Sequence, residues 1–457
     1  MNPMPAEAPE KSAPVPLDKT GLKPISELPL YTPGGEETCT AAYRRNPLLA
    51  FRPGYEKYGP IFRARFVGRD VVAMGGLEAN AVIWGNNEFW DYHKTNAHFR
   101  EQFDASYLNQ LEGEAFYRKR RRTAQGFKPS VLLAQSGAMS EVLFKEVDEM
   151  IGDRVEMRLF CMRLIICMTG RVLMQTDLPK GMDRTMAISN RDMLRAPTLG
   201  KWRHLFYWKP ARIYRRKKIF AFLGSILDER AKSPVPKEDI LSLILAAHPT
   251  DAPPIPRQEL IYDLSQLFMA GSTTTSQLIL WTLLYLYKNP DWLAELREEL
   301  KTWDPVNFTS MTPYPKLRAT LLEMERLRPP GASITRITAQ EFAFNGYLIP
   351  KNTPVLHLST LCHFLPEVYD DPLEFRPQRF LNDANPPKNA HGIFGGGAHS
   401  CVGQPLVRMI SPLLVADLIT RYEVNFETNC SMEPKLDVVT TPMEKDVWAR
   451  VVPLAGK

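Results

Sequence analysis

A lone cysteine set among glycines, Phe394-Gly-Gly-Gly-Ala-His399-Ser-Cys401-Val-Gly403, is the stretch whose residue types and spacing carry the most chemistry. Consecutive glycines ending at Gly397, and Gly403 beyond the cysteine, let backbone pass close to a large flat ligand. Backbone N–H groups converging on Cys401, with a helix starting just after it, would stabilise a thiolate. A phosphate-cradling loop would need Gly-Lys-Ser/Thr after the glycines, and none follows. One cysteine cannot build a tetrahedral zinc site, but it can be the single axial ligand of a haem iron. A buried structural cysteine is the plain competitor.

Three further segments carry reactive types at helical spacing. In Glu323-Met-Glu-Arg326-Leu-Arg-Pro-Pro330, Glu323 and Arg326 lie one turn apart, and Glu325 with Arg328 has the same spacing. Taken alone, such a pair is an ordinary helix-surface contact worth about a few tenths of a kcal/mol. In Ala270-Gly271-Ser-Thr273-Thr274-Thr275, Ala270 and Thr274 share a face, Gly271 removes bulk, and threonine hydroxyls can loosen the helical ladder. A packing notch explains that cluster equally well. Arg118, Lys119, Arg120, Arg121 and Arg122 form an unbroken cationic run. On a helix it points in every direction, so part of it must face inward or meet an anion. Nucleic acid is disfavoured, because neither interleaved aromatics nor a second basic stripe accompanies it.

The chain that must position these groups has 457 residues, 57 Lys and Arg against 51 Asp and Glu, and 44% hydrophobic residues. This excludes disordered and collagen-like classes. Six cysteines without close pairing argue against a disulfide framework or a zinc ribbon. No leader pattern opens the sequence. The longest apolar run, 278–287, falls short of the roughly 20 residues that span a bilayer. A cytoplasmic protein without a membrane anchor is the expectation. Residues 1–49 read as an extended, proline-punctuated arm, and 50–457 as one large domain. Strands are expected on both sides of Gly68, a short helix over 77–92, and a polar, aromatic-rich loop over 93–111. Helical patterning dominates from Phe116, with a long helix over 256–287 and others over 290–300 and 315–328, the last stopped by Pro329-Pro330. Short strands follow at 332–338, 341–344 and 353–358, the last two placed around Asn345-Gly346. A helix from Leu406 to Tyr422 closes a mainly α architecture with small β-sheets.

Phe394, Gly397, His399, Cys401 and Gly403 match Phe-x-x-Gly-x-Arg/His-x-Cys-x-Gly, and the loop resembles the haem-binding loop of the cytochrome P450 family. The resemblance runs from about Tyr55 to the end, through Tyr58-Gly59, Leu348-Ile-Pro-Lys351 and His363 to Pro366. It implies the prism-shaped P450 fold, with haem b held between the long helix and the cysteine loop and Cys401 as the axial thiolate and sole iron ligand. Phe394 would shield the sulfur, and His399, Arg120 and Arg336 would contact propionates. Phe116 stands where the family has Trp or His, so one polar propionate contact is missing. Glu323, Arg326 and Arg379 (in Phe375-Arg-Pro-Gln-Arg379-Phe380) would form the buried Glu-Arg-Arg triad. The distance to Pro329-Pro330 favours this pair over Glu325 and Arg328. Ala270, Gly271 and Thr274 fall on the oxygen-binding groove. Thr273 occupies the family's acid position, which implies proton delivery through water, threonine hydroxyls or a residue elsewhere.

The implied activity is insertion of one oxygen atom from dioxygen into a substrate C–H bond, with two electrons from a ferredoxin or flavodoxin and its NAD(P)H-dependent reductase. Arg118, Lys119 and Arg122 are expected to serve that docking by charge. A monomer is expected. The pocket is placed on the loop 93–111, the segment 184–201, Leu267, Phe268, Ala270, Gln277, Gly331, Ala332, Ser333, Ile334, Pro442 and Met443. Its apolar character favours a terpenoid or steroid, with a fatty acyl compound as a further option. A peroxygenase, an oxidative-coupling enzyme, and a non-catalytic haem sensor or electron carrier are the competing functions.

Overall fold

The computed structural model describes residues 17–454 apart from 35–36, 104–106, 196–201, 233–236, 238, 250–252, 383, 428–431 and 435–445. Its axis is the helix Arg257–Lys288, 32 residues without an internal proline, bounded by Pro256 and by Asn289-Pro290. At about 1.5 Å per residue it runs roughly 48 Å. Its C-terminal half, from Leu278 through Leu284, is buried on every side. It packs against Met157–Met174, Pro210–Lys232 and Gln404–Arg421. The Met157–Met174 helix is likewise almost wholly buried, and the Glu156 carboxylate caps it by accepting from the Arg158 and Leu159 N–H groups. Together these helices enclose the largest apolar core, with Trp281, Phe160 and Phe268 among its fully buried side chains.

Small sheets flank the helical body. The five-stranded sheet runs in the order Leu30–Tyr31, Ile61–Phe66, Arg69–Gly75, Pro354–Leu358, Ile334–Ile337. The hairpin at its centre turns through Val67 and Gly68, both at positive φ, and pairs Ile61 with Met74. The outer strand Ile334–Ile337 pairs antiparallel with Pro354–Leu358 and sets Arg336 opposite Val355. Asn345-Gly346 also forms a positive-φ turn, but the strand after it is Tyr347–Ile349, which pairs with Phe342–Phe344. The stretch expected as its partner, 353–358, belongs instead to the larger sheet.

Two other segments differ from their sequence reading. The region 93–111 is not a loop throughout: it carries Tyr92–Thr95, Ala97–Phe103 and a 3-10 turn at Leu108–Gln110. The Asp91 carboxylate caps the first by accepting from the Lys94 N–H. Within the expected arm, Lys23–Pro24 and Leu30–Tyr31 join two of the sheets, and Cys39–Arg45 is helical. Leu28, Tyr31, Cys39 and Tyr43 are buried there. Tyr31, Cys39 and Tyr43 share a cluster with the hairpin and with Leu356 and Leu361, and Leu28 shares one with Ile61, Val72 and Met74, so the segment folds onto the body instead of trailing from it. No helix among the described residues is long and apolar enough to cross a membrane.

Candidate active site

The cysteine loop is held open by close backbone approach. Gly397 has φ +64°, and a Cβ there would sit 1.9 Å from the Trp84 carbonyl oxygen, so only glycine fits. The chain then makes a 3-10 turn, Gly397–His399, before entering the helix Gln404–Arg421. Cys401 donates its backbone N–H to the Phe394 carbonyl at 2.8 Å, closing the loop on itself. Cys401 is exposed as a residue; the protein packed around its thiol raises the pKa, while the N–H groups of Gly403 and Gln404 and the Arg120 cation favour the thiolate.

The long helix supplies a second open surface. Amid buried neighbours, Ala270 and Thr274 are exposed and Leu267 and Gly271 are partly so, at the spacing of one helical stripe. A Cβ at Gly271 would meet nothing within 4 Å. Thr274 donates its hydroxyl to the Ala270 carbonyl at 2.9 Å, the bond back to the preceding turn that a helical threonine can make, and the helix stays continuous there. Thr273 lies on another face, buried, with its hydroxyl unpartnered among the described residues.

Around the cysteine, His399 is sandwiched between Phe116 and Tyr92, with ring centroids 3.9 Å and 3.6 Å away. Burial, aided by Arg336 and Arg120, pushes its pKa down to about 2, so it is a neutral imidazole. Arg120 donates to the Ser400 hydroxyl at 3.1 Å, and Arg336 lies over the Tyr92 ring at 5.4 Å. Burial lowers the pKa of both arginines. The buried Arg336 Nε and His399 Nε2 have no hydrogen-bond partner among the described residues. Such atoms require a polar acceptor or donor from a ligand or water, and anionic carboxylates of a haem fit both. Tyr92 was not legible as a site residue: a tyrosine opening a short helix carries no motif, and only the fold brings it over His399.

Glu323, Arg326 and Arg379 meet as the resemblance implies. Arg326 grips the Glu323 carboxylate with two bonds of 2.8 Å and also donates to the carbonyls of His363, Pro372 and Glu374. Arg379 Nε reaches Glu323 at 3.2 Å. Glu325 and Arg328 do not pair. Glu325 bonds His391 and Arg408, while Arg328 lies over the Trp281 and Tyr285 rings.

Several expected pocket positions are occupied elsewhere. Phe268 and Gln277 are only 2% exposed. Phe268 packs into the largest core, and the Gln277 amide is buried with neither polar atom partnered among the described residues. Ala332 is buried in the N-terminal core, and the Ser333 hydroxyl is taken by Tyr43 at 2.6 Å. Leu267, Gly331 and Ile334 keep open surface; Pro442 and Met443 lie outside the described residues. The docking cations also need correction. Lys119 and Arg122 are buried against Glu259 and Asp263, because their face of the helix Gly113–Gln125 turns inward. Arg118 stays exposed. A surface hollow of about 710 Å³ is lined by Thr38, Arg44, Arg45 and Glu433 and holds none of the site residues above.

A mainly helical fold with an open stripe on its central helix and an exposed cysteine in a glycine-rich loop defines a class. The family model for cytochrome P450 matches residues 39–448, and the chain belongs to that family. It is 25% identical over 405 residues to a putative cytochrome P450 of Synechocystis, covering 86% of this chain and 89% of that one. Human mitochondrial sterol 26-hydroxylase is 26% identical over 76% of this chain and 71% of its own. Mouse lanosterol 14-alpha demethylase is 24% identical over 84% and 79%. A solved structure of a retinoic acid-bound cyanobacterial P450 superposes with a TM-score of 0.78 at 23% identity, covering 94% of this chain and 100% of that one. The chain is therefore a haem-thiolate monooxygenase, with haem b as cofactor.

Proposed function

We propose that the enzyme hydroxylates a hydrophobic guest of terpenoid or steroid type, using electrons from a separate ferredoxin or flavodoxin. The carrying observation is that Cys401 in its glycine loop and the Ala270–Gly271–Thr274 stripe of the long helix keep open surface, although the helices that adjoin them are largely buried. Haem b would take Cys401 as its axial ligand and Arg120, Arg336 and His399 at its propionates. When bound, it supplies dioxygen activation, with the thiolate favouring O–O cleavage.

The chain's own residues do the remainder. Phe394 limits water beside the sulfur, and the Gly403 and Gln404 N–H groups hold the negative charge there. Thr274 holds a hydroxyl proton on the open stripe, and its bond to Ala270 fixes where that proton points. Thr273 has no carboxylate to restock it, so protons pass through water and hydroxyls; more oxygen is then consumed without product. Leu267, Ala270 and Ile334 exclude water from the guest. Substrate class rests on this apolar wall and on the sterol enzymes among the distant relatives. On the outer side, Arg118 is the exposed cation of the basic helix suited to an acidic electron carrier.

The reduced, carbon monoxide-bound absorption spectrum, followed by titration with terpenoids, steroids and fatty acids, tests the reading. The family's red-shifted Soret band and a substrate-induced spin-state shift with a terpenoid or steroid are expected. Labelled dioxygen should then appear in the product. Label absent from the product points to oxidative coupling or, where peroxide alone sustains turnover, to a peroxygenase. A blue-shifted carbon monoxide band in freshly purified protein removes Cys401 as ligand.

A further inference from the structure

We propose that Glu325 is a positioning residue for the Cys401 thiolate, acting through Arg408 and Phe394; this rests on Cys401 being the axial ligand. Glu325 sits two residues from Glu323 on the helix Pro315–Leu327 and therefore faces away from the Arg326 grip. Its side chain is 3% exposed. A buried carboxylate costs several kcal/mol unless it is paired, so its partners define its use. One oxygen, Oε2, is shared by His391 Nε2 and Arg408 Nη2, each at 2.8 Å.

Both partners lead to the cysteine loop. The Arg408 guanidinium lies over the Phe394 ring, 5.2 Å from its centroid, and the Phe394 carbonyl accepts the Cys401 N–H at 2.8 Å. A continuous set of contacts thus runs from Glu325 to the backbone of the cysteine. His391 enters the same loop and stacks on His363, which accepts the Gly392 N–H at 3.0 Å. Arg408 is 38% exposed, and an unrestrained arginine there would extend its head into water. The buried carboxylate holds the cation over the ring instead. It also offsets that cation's charge beside the Phe394 ring.

These two effects have separable signatures in the haem-loaded protein. Glu325→Gln leaves the Arg408 charge uncompensated and should move the midpoint potential to more positive values. Arg408→Met removes that charge and should move the potential to more negative values. Both should loosen Phe394 and raise several-fold the rate at which the reduced carbon monoxide form loses its thiolate band. The double variant should lose the band no faster than Arg408→Met alone, since both act on one contact. A residue that merely stabilised the fold would lower the unfolding midpoint without opposite shifts in potential. If Glu325→Gln does not fold, Arg408→Met, at the partly exposed end, carries the test by the same two readouts. Wild-type potential and wild-type band stability in the haem-loaded variants overturn the proposal. Absence of the thiolate band in the wild type overturns the Cys401 reading first, and this one with it.

Discussion

Lys119 Nζ lies 2.6 Å from Asp263 Oδ1, joining the helix that carries Arg120 to the helix that carries Thr274. Glu259 and Arg122 complete a quartet of two cations and two anions. Burial raises the Asp263 pKa against the pull of Lys119. Burial pushes Glu259 the same way, but Lys119 and Arg122 outweigh it and leave its pKa lowered. The basic run is therefore divided by the helix itself: part binds the protein's interior, and Arg118 faces outward.

Lys119→Met should destabilise the protein by about 1–3 kcal/mol, because Arg122 still pairs with both partly exposed carboxylates. Denaturant unfolding measures it. Arg118→Glu should leave stability within about 0.5 kcal/mol and slow reduction by an acidic electron carrier, more at low salt than at high salt. Equal slowing at both salt levels would remove Arg118 from the docking surface.

The Glu323 network should respond in a graded way. Arg326 is fully buried and makes five hydrogen bonds, two to Glu323 and three to carbonyls. Arg326→Met takes that donor from three carbonyls and leaves the buried Glu323 carboxylate with Arg379 and the Arg376 N–H alone, and should cost about 3–5 kcal/mol, with haem lost on purification. Arg379 is 12% exposed and touches Glu323 from the rim, so Arg379→Gln should cost about 1–2 kcal/mol and retain haem. Absorbance ratios at the Soret band and at 280 nm, alongside unfolding midpoints, rank the two. Equal losses would mean that Arg379 bears as much of the lock as Arg326.

What the sequence displayed was contiguous chemistry. The cysteine loop, the Glu323–Arg326 spacing and the Ala270–Thr274 notch each lie within one short stretch, where residue type and interval are visible together. What it concealed depends on facing. Lys119 and Arg118 are adjacent and chemically alike, yet one is buried and the other exposed, because neighbours on a helix point about 100° apart. Phe268 and Ala270 differ in the same way. Tyr92 reaches His399 only through folding across three hundred residues. The strand Tyr347–Ile349 was missed since three residues are too few for an alternating pattern to show.

Asp417 gives a pH signature of its own. It is 1% exposed, accepts from Ser140 at 2.6 Å and Trp303 at 2.7 Å, and burial raises its pKa from 3.8 to about 6. A carboxyl raised on folding favours the native state while protonated. That contribution is complete below pH 3.8 and is lost as pH rises through about 6. The two-unit shift corresponds to about 3 kcal/mol. Asp417→Asn keeps both hydrogen bonds, its oxygen accepting from Trp303 and its amide donating to Ser140. The stability of the variant relative to wild type should therefore climb between about pH 4 and pH 7 by that amount. Denaturant unfolding at fixed pH steps tests this, and a flat difference would show that the site relaxes enough to leave the carboxylate solvated.

The two motif glycines nearest the cysteine should separate by cause. At Gly397 the obstacle belongs to the protein: φ is +64° and a Cβ would lie 1.9 Å from the Trp84 carbonyl oxygen. Gly397→Ala must shift rigid backbone on one side or the other, so the loop should distort and the protein should purify without haem. At Gly403 a Cβ meets nothing of the protein closer than the Cys401 sulfur at 3.9 Å, which is ordinary contact, and the backbone is at φ −83°. Gly403→Ala should fold with wild-type stability in the absence of haem. Any defect should appear only on loading, as weaker haem retention or a shifted Soret band, because the new methyl then competes with the bound group beside the sulfur. Circular dichroism and thermal unfolding of the haem-free proteins, followed by haem titration, distinguish the two positions. A Gly403→Ala variant already unstable without haem would place its constraint in the polypeptide, as at Gly397.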